Sequence, residues 1–146
     1  MPSACLFREI TLQRSHSSAN AGDQRTQNSI QAKFRQAVVK LRRGVTKIQA
    51  VMLVGPHGVV DHVLDDPALN LETIAGEYAT LLRVARSASE DSGAGNLVEN
   101  VLVSERSVMI ARTVPPDHYL ILLFRSQEQI GRARYELKKA ASEIGK

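Results

Sequence analysis

The segment Tyr119-Leu-Ile-Leu-Leu-Phe124 is apolar at every position, and Val51-Met-Leu-Val54 is nearly its match. A strand with no polar face must be covered on both sides, so these two runs belong at the centre of a sheet sandwiched by helices. The other strand-like runs are more polar. Leu97 to Ser104 carries Glu99, Asn100 and Ser104, and Val59 to Leu64 carries Asp61 and His62, as suits sheet edges. Gly55-Pro-His-Gly58 joins Ile48–Val54 to Val59–Leu64 as an antiparallel hairpin. Glu105-Arg106 and Pro115-Pro-Asp-His118 are short enough to link Leu97–Ser104, Ser107–Val114 and Tyr119–Arg125 as a meander. Hairpin adjacency then predicts a five-stranded antiparallel sheet with strand order 2-1-5-4-3, and an open edge at Leu97–Ser104.

Three helices accompany these strands. Ile30, Phe34, Ala37, Val38 and Leu41 form one apolar stripe, closed by the basic residues Lys40, Arg42 and Arg43 and by Gly44. Asn70 caps a second helix whose core face is Leu71, Ile74, Ala75, Tyr78, Leu81, Leu82 and Ala85. Ser126 and Gln129 have the spacing of a capping box ahead of Ile130, Ala133, Leu137, Ala140, Ala141 and Ile144. The chain reads α-β-β-α-β-β-β-α, an α+β sandwich in the broad α/β class. The second helix takes one face, and the first and third share the other. Residues 1–27 lack this periodicity: Arg14 to Gln27 is polar and small, so the expectation is a flexible leader followed by one domain over 28–146. Leu6 to Leu12 could add a short strand or form a sticky tail.

Aromatic residues are only 4% of the 146 and Trp is absent, so the core is aliphatic. The single cysteine, Cys5, excludes a disulfide framework and a cysteine-based zinc site. No apolar run approaches the ~20 residues needed to span a bilayer. The first residues do not form a standard secretory signal, and Pro2 excludes myristoylation. A cytoplasmic protein is expected.

Catalytic chemistry finds no support in the residue pattern. His57, Asp61, His62, Asp65 and Asp66 have metal-ligand chemistry, but Asp61 and His62 point to opposite faces of one strand. Gly55-Pro-His-Gly58 lacks the Gly-Lys-Ser/Thr ending of a phosphate loop, and no serine stands in a Gly-x-Ser-x-Gly elbow. Neither an enzyme, a metal site nor a cofactor is expected.

The hairpin IQAVMLVGPHGVVDHVL, the helix LETIAGEYATLLRVARSA and the meander NLVENVLVSERSVMIARTVPPDHYLILLF with its closing helix resemble the Roadblock / dynein light chain family over residues 30 to 145. The long leader points to its prokaryotic branch, whose members regulate small Ras-like GTPases. The resemblance implies a homodimer in which edge strands (here Leu97–Ser104, with Leu97, Glu99, Val101 and Val103) pair into one sheet, while the second helices (Leu71–Ala88) pack antiparallel. Gly76, Ala79, Thr80 and Val84, small residues on the expected non-core side of that helix, suit such packing. A mid-helix glycine costs ~1 kcal/mol relative to alanine, which close helix approach offsets. The resemblance further implies an adaptor that binds a small Ras-like GTPase and modulates its nucleotide cycle in the activating direction. The expected contact residues are Glu72, Glu77, Thr80 and Arg83. The alternative is a scaffold or light-chain subunit that joins larger partners without changing nucleotide turnover. A sensor of the profilin-like kind would need a cavity.

Charge is unevenly spread. Asn28 to Lys47 holds six Lys/Arg and no acid, Arg125 to Lys146 six against three acids, and Asp65 to Ser92 six acids against two bases. If the first and third helices share a face, one side is basic and the other acidic, which steers partners. Tyr119 and Phe124 lie in the expected sheet centre, so no aromatic platform accompanies the basic residues and no nucleic acid is expected. Contact of the first helix with an anionic membrane is the lesser reading.

Overall fold

The computed structural model describes residues 21–146. The elements are α1 (Ala21–Gly44), β1 (Ile48–Gly55), β2 (Gly58–Leu64), α2 (Leu71–Asp91), β3 (Glu99–Val103), β4 (Val108–Val114), β5 (His118–Phe124), a 3-10 turn (Gln127–Gln129) and α3 (Ile130–Ile144). The strands form one antiparallel sheet in the order β2-β1-β5-β4-β3. β1 and β5 lie inside it, with Met52 opposite Ile121 and Leu53 opposite Leu120. The two fully apolar runs occupy the interior because no other placement covers both of their faces.

The two faces are covered unequally. α1 and α3 together close one face over Val51, Leu53, Ile110, Leu120, Leu122 and Phe124, with Phe34, Leu41 and Leu137 fully buried. α2 alone closes the other, setting Ala75 and Leu82 against Ala50, Met52, Met109, Ile121 and Leu123. Among the described residues the first core holds eighteen buried side chains and the second ten, so one helix cannot seal five strands. Leu71, Ile74, Tyr78, Leu81 and Leu97 stay half-buried as a result.

Several local expectations are met by the residues that carried them. The Asn70 side chain accepts a hydrogen bond from the Thr73 N–H at 3.0 Å. α1 ends at Gly44, where a Cβ would stand 2.9 Å from Cγ and Cδ of Glu136, so the antiparallel α1–α3 pair comes close there. Gly58, at φ 118°, closes the β1–β2 hairpin in a conformation open to glycine. No helix among the described residues is long and apolar enough to cross a membrane.

Other expectations are corrected. The capping box does not form: Ser126 makes no side-chain cap bond. Gln129 turns instead to the α1–β1 loop, where its Oε1 accepts from the Thr46 N–H at 2.9 Å and its Nε2 donates to the Thr46 carbonyl at 2.6 Å. A backbone segment needing both a donor and an acceptor outcompetes one orphan amide. α2 runs to Asp91, one turn past Ala88, and β3 is shorter than Leu97–Ser104. α1 begins at Ala21 and takes in residues 21–27, which were expected in the leader. The rest of the leader, with Cys5 and the Leu6–Leu12 run, lies outside the described residues.

Candidate functional site

β3 is an edge strand paired only with β4. Cross-strand partners share a face, so its register assigns each side chain. Val101 and Val103 stand opposite Ile110 and Val108, on the α1/α3 face; Leu102 stands opposite Met109, on the α2 face. All three are exposed, by 38%, 50% and 38%, and Val98 just before them by 53%. A free strand edge with apolar side chains on both faces is a template for pairing with another chain.

Glu99, at the start of β3, is tied inward. Its carboxylate accepts from Arg134 of α3 at 2.8 and 3.0 Å and lies 3.8 Å from Arg112 of β4. The partners are complementary: the carboxylate side chain is 11% exposed, Arg134 55%. The Glu99 carboxylate holds the Arg134 guanidinium above the ordinary arginine value, first by hydrogen bonding and then by charge.

The side of α2 turned from the core carries the other candidates. Glu72, Glu77 and Arg83 are exposed and Thr80 is half-buried. Val84 is 61% exposed. Gly76 shares a side of the helix with the exposed Glu72, Thr73 and Arg83, but it is itself buried, and its carbonyl accepts from Thr80 Oγ1 at 3.0 Å. Ala79 and Thr80 are half-buried.

The structure therefore splits the residues that the sequence grouped. Glu99, Val101 and Val103 fall on the α1/α3 face, while Leu97 packs into the α2-side core. The alternation counted from Leu97 breaks because the regular strand starts only at Glu99. Leu102, the edge side chain on the same face as α2, was missed for that reason. Counting alternation backwards from the β4 hairpin would have found it.

The residues with metal-ligand chemistry do not gather. Asp61 is held by Arg35 at 2.6 and 2.8 Å, and Asp65 by Arg42 at 2.5 Å. Among the described residues no three His, Cys, Asp or Glu side chains form a metal-binding group. The charge reading is corrected here too. Asp65, counted with the acidic α2, is spent on the basic α1, so the two faces are less opposed than the sequence totals imply. Asp66 lies in a junction at the sheet end: Ala68 N–H, the Gln49 amide and Arg125 hold its carboxyl below the ordinary value, the backbone bond first. A cleft of about 190 Å³ at the opposite end is lined by Arg86, Glu90, Thr113, His118 and Tyr119.

Solved structures share this architecture. MglB from Myxococcus xanthus superposes with a TM-score of 0.68 at 14% identity, over 82% of this chain and 86% of its own. MglC from Myxococcus xanthus is 29% identical, over 77% and 97% of the two chains, with a TM-score of 0.54. The Roadblock/LC7 domain from Streptomyces avermitilis gives 0.63 at 18% identity, over 73% and 89%. No family model matches the sequence, and no curated protein does. The chain has the Roadblock/LC7 fold shared with the prokaryotic MglB structures.

Proposed function

We propose that this Roadblock/LC7-fold chain is a homodimeric adaptor that binds a small Ras-like GTPase and accelerates its nucleotide turnover. The observation that carries the reading is the pairing of an open apolar edge, Val101 to Val103, with a single helix on the α2 face whose outer side is polar and accessible. Pairing of two β3 edges extends the sheet without a break and covers the exposed valines and Leu102. It also brings two α2 helices side by side above the seam, so that Glu72, Glu77, Thr80 and Arg83 from both copies form one surface. Holding a GTPase switch segment on such a surface changes turnover without supplying a catalytic side chain.

The test is GTP hydrolysis by a small Ras-like GTPase of the same organism, with and without this protein. Acceleration that is lost in the Glu77→Arg/Thr80→Arg variant supports the reading. Tight binding with no change in rate moves the protein to the scaffold reading. Unchanged affinity of the double variant overturns the α2 surface as the contact.

A further inference from the structure

The outward side of the α1/α3 layer has properties that the GTPase reading does not use. From Gln24 to Gly44, α1 carries no acid. Some of its cations are neutralised in the fold: Arg35 by Asp61, Lys40 by Glu143 and Arg42 by Asp65. Others are not. Arg43 on α1 and Arg132 and Lys138 on α3 are exposed, and among the described residues no acidic side chain pairs with them. The same two helices expose two apolar side chains, Val39 at 49% and Tyr135 at 59%. The Lys139 ammonium, which also lies 3.6 Å from the Glu136 carboxylate, sits 4.8 Å above the Tyr135 ring.

We infer that this face docks on an anionic lipid surface. Two antiparallel helices make a flat plane, and its cations attract anionic headgroups. Val39 and Tyr135 gain by entering the headgroup region, where an amphipathic ring is favoured. A nucleic acid fits this face less well. Among the described residues no element stands out to enter a groove, and the sheet aromatics Tyr119 and Phe124 pack in the two cores, so the sheet offers no aromatic platform for stacking. The strength of binding rests on the dimer proposed above. Antiparallel pairing through β3 has its two-fold axis normal to the sheet, so both α1/α3 layers lie on one side. The α2 pair then faces away from the lipid, toward the GTPase.

The full chain is sedimented with vesicles of phosphatidylcholine alone and of phosphatidylcholine mixed with phosphatidylserine. Binding is expected only with phosphatidylserine, weakening as salt rises. Arg132→Glu/Lys138→Glu should lower affinity at least about tenfold, and Tyr135→Ala should lower it at constant charge. Both changes are at exposed positions, and circular dichroism checks the fold. Absent or composition-independent binding overturns the inference, as does an unchanged affinity of the charge-reversed variant. Tighter binding to a duplex oligonucleotide at the same salt overturns it in favour of nucleic acid. Light scattering reports the oligomer separately: a monomer that still needs Arg132 and Lys138 for phosphatidylserine binding overturns the dimer and keeps the lipid face.

Discussion

Glu99 on the outermost strand and Arg134 on the last helix are joined by two hydrogen bonds to one carboxylate oxygen, at 2.8 and 3.0 Å. They are 35 residues apart in the chain, and their pairing fixes the free edge of the sheet to the α3 layer. Without it, β3 is held laterally by β4 alone. Arg134→Ala should therefore speed amide hydrogen exchange in Glu99–Val103 while leaving β1 and β5 protected. Arg134→Lys should restore part of the protection, because it keeps the charge and loses the planar fork. Equal exchange in the alanine variant and the parent would show that β3 is anchored by its β4 ladder alone.

The apolar edge gives a second expectation. Leu102→Lys places a charge on an accessible edge side chain, the device by which edge strands avoid pairing. The parent should be a dimer by light scattering at micromolar concentration and the variant a monomer with an unchanged circular dichroism spectrum. A dimeric variant would place the contact elsewhere.

At the start of α3, Gln129 and Ser126 have opposite importance. Gln129→Ala removes the bonds to both backbone groups of Thr46 and should cost about 1–2 kcal/mol of unfolding free energy in urea titration. Ser126→Ala removes no cap bond and should stay within about 0.5 kcal/mol of the parent. The reverse order would restore the capping box.

The junction around Asp66 makes stability depend on pH. Its carboxyl is held below the ordinary value by the Ala68 N–H, the Gln49 amide and Arg125. A depressed folded-state value means that the stabilisation is present above the unfolded-state value, about 3.9 for Asp, and is lost as pH falls through the folded one. Asp66→Asn should be less stable than the parent at neutral pH, and the gap should narrow on acidification below about pH 4. A gap that is constant with pH would mean that the charge of Asp66 adds nothing.

Much of the fold was legible because its signals are local or additive. Two runs without a polar face require the centre of a covered sheet, short connections leave one simple strand order, and Asn70 marks its helix start with its own side chain. The α2 stripe of Gly76, Ala79, Thr80 and Val84 was only half legible. Helical spacing places residues around an axis, but not how far each is shaded: the Thr80 hydroxyl folds back onto the Gly76 carbonyl, and Gly76 is buried.

The sequence by itself determined which segments are buried on both faces, because transfer of apolar surface from water is nearly independent of what covers it. Only the tertiary structure decided which polar groups meet. Glu99 chose Arg134, Gln129 chose Thr46, and Asp65 chose α1 over the acidic surface to which its place in the chain assigned it. Hydrogen bonds and ion pairs need distance and direction, and those exist only once the layers have packed. The exposure of Leu102 is of the same kind: its residue type says apolar, but one helix over a five-stranded face leaves it uncovered at the edge.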